Sequence, residues 1–450
     1  MKKNSLILIF LLNSTLSLAQ QLISGPMLGY VEHQSALIWL ETDTTVHEVS
    51  IIWHLKTKPE TKNKTTQKRG KFQPFQPWKI ELNGLMWNRS EYVYRIILNG
   101  KIQNGEYRFV TRPAWARWSK DPAPDFSFML GSCTYLNDSL YDRPGKPYGQ
   151  DPSILKSMSL TTADFMIWTG DNLYLREADW SSAWGIGRRN SVNRARPELA
   201  DVLAVRPNYA IWDDHDFGPN DSNKSYELSN ISTAFFRDYW GNKTYGEDNK
   251  GIYSKFSYSD ADFFLLDDRS FRDANQLPDT IDGKINPNKR FLGDMQLNWL
   301  KNALISSEAR FKFIVCGSQV LNAYADKECM RKYPADFSEL TRFIREQKIG
   351  GIMVLSGDRH FTELLKVDGI AGYPLYEYTC SPLTSGPYVK IAETAEGKNP
   401  LRVEGSLYAD NNYGRVSVRG TGKERRIYIE TFNRKGELVW SKDLPEPGNQ

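Results

Sequence analysis

Five histidines occur in this chain of 450 residues, and two of them have unusual neighbours. His215 lies within Asp213-Asp214-His215-Asp216, and His360 closes Asp358-Arg359-His360. Two further segments carry side chains of comparable chemistry: Gly131-Ser132-Cys133 and Gly170-Asp171-Asn172-Leu173-Tyr174. Thiolate, carboxylate, phenolate and imidazole together make a ligand set for transition metals. Two such ions about 3.5–4 Å apart clamp the negative oxygens of a phosphate ester and hold a hydroxide between them. Metal binding lowers the pKa of water from about 15.7 towards about 7, so no serine or threonine nucleophile is required. Asp171 is the candidate for the carboxylate shared by both ions, and Asp214 can ligate beside it. His215 can protonate the leaving alcohol or hold the transferring phosphoryl group, a contribution of about 10²–10⁴-fold in general acid catalysis. Asp216 can orient His215, because a carboxylate behind an imidazole fixes its tautomer.

Each of these segments follows a short apolar run: FSFML before Cys133, DFMIW before Asp171, YAIW before Asp213, and IMVL before Asp358. The runs read as strands, so four strands deliver metal-binding or acid–base groups just past their C-terminal ends. In an open α/β sheet that edge is where ligands bind. FFLLD and FKFIV add two more apolar strands. Helical stretches alternate with them near 152–160, near 196–204 and over 292–304, where Leu297, Leu300 and Leu304 share a face. From about residue 124 the alternation predicts an α/β domain with mostly parallel strands. Strands dominate again from Tyr376 to Trp440, which predicts an antiparallel finish. Residues 21 to about 112 look different. SALIWLE, HEVSIIWH, WKIEL, EYVYRIIL and EYRFVT are short β-rich runs separated by turns such as Asn99-Gly100. They predict a small N-terminal β-sandwich domain. RPAWARWSKDPAPD, with three prolines, reads as a linker. The expected domains are residues 20–112 and 124–442, and no internal repeat is present.

The order GSC (131–133), GDNLY (170–174), YAIWDDHD (209–216), LDDRSFR (266–272), LGDMQLNWL (292–300) and SGDRH (356–360) resembles the alkaline phosphatase D family of the binuclear metallophosphoesterases. The resemblance covers most of the chain. It implies an αββα metallophosphoesterase sandwich behind the β-sandwich, with phosphomonoesterase or phosphodiesterase activity. It also implies ferric iron paired with a redox-inert hard cation, commonly calcium, with manganese or magnesium as alternatives at the second position. A thiolate and a phenolate suit iron, whereas carboxylates alone suit calcium, magnesium or manganese. Cys133, Tyr174 and Asp171 are therefore expected on iron. Asp171, Asp214, Asp358 and His360 are expected on the second ion or shared. Asn172 and Arg269 are candidate substrate contacts. Two departures stand out: Asp214 replaces the asparagine usual in the wider superfamily, and Asn172 replaces an aromatic frequent in the family.

Other features have plainer readings. Arg269 and Arg272 can clamp a phosphate, or pair with Asp267 and Asp268. Only one of Asp213 and Asp214 is expected to point into the site, since neighbours on an extended backbone diverge. Asn220 and Asp221 can line the pocket or shape the Gly-Pro-Asn turn, and the turn reading is favoured. Trp180, Trp184, Arg188 and Arg189 lie in a loop-like stretch between two ligand-bearing strands; they can contact a substrate's leaving group, with surface packing the favoured reading. Cys316 and Cys380 read as buried, while Cys329 lies in a polar stretch and invites a disulfide partner. The basic run Lys56–Lys71 lacks aromatic residues and reads as a solvated loop. A formal charge of +4 gives no ground for nucleic acid as a partner. The expected partner is a small phosphate ester and the expected state a monomer. Residues 1–19 have the charged start, short apolar run and small residues of a signal peptide, predicting a periplasmic or secreted protein without a membrane span. Two readings compete with a phosphatase. One is a phospholipase-like or nuclease-like phosphodiesterase with little monoesterase activity. The other is a binding protein carrying a degenerate domain, against which the intact Asp171, Asp214, His215, Asp358 and His360 argue.

Overall fold

The computed structural model describes residues 21–70, 73–324 and 328–448. The expected signal peptide, residues 1–19, lies outside them. Eight strands come first: β1 (Leu22–Val31), β2 (Ser35–Thr42), β3 (Glu48–Leu55), β4 (Asn63–Lys68), β5 (Gln76–Asn83), β6 (Glu91–Leu98), β7 (Lys101–Ile102) and β8 (Tyr107–Val110). They form two sheets, β1-β2-β5 and β4-β3-β6-β7, with β8 also beside β6. Alternate residues face inward, so Ile38, Leu40, Ile80 and Leu82 of one sheet meet Ile51, Tyr94 and Ile96 of the other. The basic run is not a loop throughout. Asn63–Lys68 pairs with β3 as an edge strand whose side chains stay largely in water. Lysine on an edge strand blocks pairing with other chains, which gives the charge a structural use.

Fourteen strands follow: β9 (Phe126–Gly131), β10 (Phe165–Thr169), β11 (Asn208–Ile211), β12 (Ser254–Tyr258), β13 (Ala261–Leu265), β14 (Thr280–Ile281), β15 (Lys284–Ile285), β16 (Phe311–Val315), β17 (Ile352–Ser356), β18 (Glu363–Val367), β19 (Leu375–Thr379), β20 (Asn412–Arg419), β21 (Arg426–Asn433) and β22 (Leu438–Leu444). The helices are α1 (Ser153–Leu160), α2 (Ala183–Arg194), α3 (Pro197–Ala204), α4 (Asp214–Phe217), α5 (Ser229–Tyr239), α6 (Gly293–Ile305) and α7 (Pro334–Glu346). Two six-stranded sheets result, ordered β11-β10-β9-β20-β21-β22 and β12-β13-β16-β17-β19-β18. The central strands β9, β10 and β11 run parallel, as do β13, β16, β17 and β19. The finish is antiparallel from β20 onward, while β19 is mixed, parallel beside β17 and antiparallel beside β18.

The sheets stack face to face. Phe128 meets Phe263 and Phe313 edge-on at ring separations of 5.2 and 5.3 Å. Strands of the second sheet are apolar on both faces. Phe263, Phe313 and Leu355 fill the gap between sheets, while Phe264, Ile314 and Val354 meet Leu297, Leu300, Leu304, Leu340 and Ile344 of α6 and α7. On the opposite flank, α1 and α3 bring Ile154, Leu155, Met158, Leu199 and Val202 onto the first sheet. This helix–sheet–sheet–helix layering is the αββα sandwich expected from the sequence, and it explains why these strands read as unbroken apolar runs.

Residues 183–194 are helix α2, not loop. Its buried residues include Gly185, Gly187, Arg189, Asn190 and Asn193, so it carries no apolar stripe to announce it. The β-rich part docks on the α/β part by backbone contact. Tyr30 N–H donates to Gly241 O at 3.0 Å, and the Asn208 side chain donates to Leu28 O at 3.0 Å. A Cβ at Gly241 would lie 2.5 Å from the Cα of Gly29, so this approach requires glycine.

Candidate metal centre

The tips of β9, β10, β11 and β17 converge on one pocket of about 570 Å³, lined by Asp171, Asp214, His215, Asp358 and His360 among others. The loops after the strands interlock. Cys133 N–H donates to Gly170 O at 3.3 Å, and Thr134 N–H donates to Asp171 O at 2.7 Å. Asp171 Oδ1 accepts from the His215 backbone N–H at 3.2 Å. Four candidate ligands, Cys133, Asp171, Asp358 and His360, have left-handed backbone with φ of 60, 53, 68 and 58°. Side chains rarely adopt this conformation, and it concentrates where structure over-determines a site. The sharp reversal it makes turns each side chain inward at its strand tip. Gly357 serves the same end by closeness, since a Cβ there would sit 2.5 Å from Ser132 Oγ.

Two donor groups form, and they share one carboxylate. Ligand atoms of Cys133, Asp171 and His360 lie within 4.8 Å of one another, as do those of Asp171, Asp214 and His215. Tyr174 joins the first group. Its hydroxyl donates to Asp171 Oδ2 at 3.2 Å and stands 3.3 Å from His360 Nε2. His360 Nδ1 contacts Gly386 O at 2.7 Å, which assigns the proton to Nδ1 and leaves the Nε2 lone pair for a cation. Within these groups His360 sits with Cys133 and Tyr174, and His215 sits with Asp214. Asp358 belongs to neither close triad but lines the same pocket.

Electrostatics test whether a cation fits. Burial, reinforced by Cys133, Asp214, Asp216 and Asp358, pushes the Asp171 carboxyl well above its ordinary range. Burial pushes the Cys133 thiol up to about 11, although the Ser381 hydroxyl opposes it, donating to Sγ at 3.1 Å. Burial, Asp171 and Cys133 raise the Tyr174 phenol well above its usual value. Like charges held this close in a buried site cannot all ionise without a positive ion among them. The donor set therefore fits bound cations. Burial would raise Asp214 too, but His215 and Arg269 hold it below the ordinary range. Burial lowers His215, so its imidazole is neutral near neutral pH.

Three assigned residues stand elsewhere. Asp216 accepts from the backbone N–H groups of Asn172 at 3.0 Å and Asp213 at 3.1 Å, closing a capping box at α4. Its carboxylate is spent on backbone and does not orient the His215 ring. Asn172 is buried, with its amide donating to Ile211 O at 2.7 Å, so it braces β11 and does not face substrate. Arg269 is 0 % exposed. It binds Asp213 through Nε at 2.6 Å and Glu328 through a terminal nitrogen at 2.6 Å, and so does not clamp a phosphate. Asp213 thus faces Arg269 while Asp214 faces the pocket. Arg272 pairs with Glu328 at 3.2 Å, not with Asp267 or Asp268. All four cysteines are free thiols, and Cys329 donates to Asn322 O at 3.4 Å in place of a disulfide.

Other residues join the pocket, two of them weighed in the sequence only as a second reading. Asn220 and Asp221 line the wall, and Asp221 N–H donates to Asp214 Oδ2 at 2.7 Å. Glu328 and Arg359 line it as well. Tyr148 reaches His360 across 212 positions, its hydroxyl 3.1 Å from Nδ1. Glu328 lies within the unremarkable ADKEC stretch and gives no sequence signal.

Comparison with known proteins agrees with this geometry. A family model described as PhoD-like phosphatase matches residues 145–424. The chain belongs to the PhoD-like phosphatase family. A second model, a domain of unknown function named DUF7800, matches residues 19–110. Alkaline phosphatase D of Bacillus subtilis (strain 168) is 27 % identical over 241 residues, covering 46 % of this chain and 40 % of that protein's length. The solved structure titled "Structure of PhoD" superposes with a TM-score of 0.74 at 17 % identity, covering 94 % of this chain and 90 % of that one. Purple acid phosphatase PPD1 from yellow lupin (Lupinus luteus) seeds gives 0.64 at 11 % identity, covering 93 % and 74 %. At these identities the two structures speak to the fold alone. The PhoD-like match begins downstream of Cys133, so that residue's place at the centre rests on geometry.

Proposed function

We propose that this chain hydrolyses phosphate esters at a binuclear metal centre. The observation that carries the reading is the sharing of Asp171 between two tight donor groups, Cys133–Asp171–His360 and Asp171–Asp214–His215. A carboxylate in that position is suited to bridging two ions. The thiol and phenol on one side favour ferric iron, and the carboxylates on the other favour calcium, with manganese or magnesium as alternatives. Bound cations supply the charge that a phosphoryl group needs and make water acidic enough to act as a nucleophile at neutral pH.

The chain's own groups do the remainder. A neutral His215 has one ring N–H to donate, and its ring is 22 % exposed at the pocket, packed on Tyr174 at 4.1 Å. It therefore offers a hydrogen bond to a phosphoryl or leaving oxygen. Asp214 keeps Oδ2 fixed on the Asp221 N–H. Residues 1–19 further suggest that the enzyme acts outside the cytoplasm, where N-terminal sequencing of exported protein would find a start at residue 20. Among the described residues, no helix is long and apolar enough to cross a membrane.

Elemental analysis of purified protein, a visible spectrum and a substrate panel test the proposal. Iron ligated by a tyrosine phenolate should colour the protein. A colourless, iron-free and active enzyme overturns the iron assignment. Absence of turnover on p-nitrophenyl phosphate, bis-p-nitrophenyl phosphate, nucleotides and phospholipids alike overturns the function. Turnover confined to the diesters selects the phosphodiesterase reading.

A further inference from the structure

Beside the metal pocket lies a second cavity of about 390 Å³. Tyr148, His215 and Asn220 line both, so the two spaces are joined at the residues that would flank a reacting phosphoryl group. The outer walls are aromatic: Tyr141 and Trp180. The ionic groups on the walls are mostly neutralised. Asp142 binds Arg176 at 2.8 Å, and Glu177 binds Arg143. Lys146 at the rim has no ion-pair partner among the described residues. The inner wall is rigid, because Tyr135 packs against Tyr148 and Tyr174 at 4.9 and 5.0 Å and carries the Arg176 guanidinium on its ring at 3.8 Å.

Resting on the phosphate-ester reading above, we infer that this annex holds the leaving group, and that the preferred leaving alcohol carries a planar ring. Aromatic walls bury a flat apolar ring with little ordering cost, because each tyrosine or tryptophan has only two side-chain torsions to fix. The volume lies in the range that takes a small ligand. A lone lysine at the rim suits any added negative charge on that group. A short alkyl alcohol would leave most of the annex filled with water and gain none of this. Two sources share the chemistry: an aryl ring joined directly to the ester oxygen, and a nucleobase joined through a sugar. Tyr141 and Trp180 are specificity-determining residues here, because neither belongs to the donor groups.

The test compares 1-naphthyl phosphate, a nucleoside 5′-monophosphate and glycerol phosphate with wild type, Tyr141→Ala and Trp180→Leu. For the ring-bearing ester that the wild type prefers, each variant should raise KM about tenfold with kcat nearly unchanged, the pattern of lost binding shared by ground and transition states. Turnover of glycerol phosphate should change less than about twofold. Preference for the naphthyl ester assigns the aryl source, and preference for the nucleotide assigns the other. Equal losses on all three esters, or no loss on any, overturn the inference. Binding of 1-naphthylphosphonate and methylphosphonate, read by intrinsic fluorescence, gives a second measure independent of turnover. If the wild type hydrolyses nothing yet both variants weaken only the naphthyl compound, the hydrolytic reading falls and the annex stands. If naphthyl binding is unchanged in both, the annex falls.

Discussion

His215 shows how much one side chain is asked to do. It is stacked on Tyr174, its Nε2 lies 4.0 Å from Asp214, and its backbone N–H holds Asp171. Only the ring is lost in His215→Ala, so kcat should fall about 10²–10⁴-fold with far-UV circular dichroism unchanged. Loss of one metal equivalent in the same variant would show that the ring ligates as well. Arg269 acts by support. It is fully buried between Asp213 and Glu328, and its removal strands the Asp213 carboxylate and leaves Glu328 to Arg272 alone. Arg269→Ala should cost about 3–5 kcal/mol in chemical denaturation, because breaking a buried pair leaves uncompensated charge. Glu377 sets a pH dependence. Burial pushes its carboxyl up to about 7, although the Val320 and Leu321 N–H groups oppose the rise. The unfolded chain ionises this group near 4.5, so between that pH and about 7 the native state binds the extra proton. Stability from this group is therefore complete below the unfolded value and declines as pH rises towards 7. Denaturation midpoints of Glu377→Gln should lack that slope.

Elements were legible where their pattern was physical. Runs such as DFMIW and IMVL are apolar because both of their faces are covered, and the reactive residues at their ends followed from where parallel strands stop. β4 was not legible, since its lysines, threonines and glutamine bury almost nothing. Nor was α2, whose glycines admit Asp179, Phe75 and Phe235 at close range and whose arginine and asparagines are buried. The same cause hid the roles of Asp216, Asn172 and Arg269. A polar residue beside a motif looks the same in sequence whether it faces substrate or braces a neighbouring loop, and its partners Asn172, Ile211 and Glu328 are set by tertiary structure. At the element scale the docking of β1 is the feature to probe. Gly241→Ala places a methyl group against Gly29, which should cost about 1–3 kcal/mol as overpacking does. Protease cleavage within residues 112–125 should then quicken, measured by digestion of the folded protein.

Across the whole molecule, the two sheets bring four strand tips to a single pole, and like charge accumulates there. Cations that bind the native site and not the unfolded chain stabilise the fold by about 2.7 kcal/mol for each ion present at 100 times its dissociation constant. Dialysis against a strong chelator should abolish turnover, lower the thermal midpoint and leave secondary structure in place. An unchanged midpoint would argue against ions at this pole. The left-handed backbone at Cys133, Asp171, Asp358 and His360 bears on how such a centre decays by mutation. Asparagine and glycine tolerate that conformation, whereas valine or isoleucine would strain it. The mutations easiest to survive at Asp171 or Asp358 are thus ones that erase charge and keep shape. Descendants drifting that way would fold well, retain the pocket and be catalytically silent, so an inactive homologue should be recognised by asparagine in these positions before any change in its architecture.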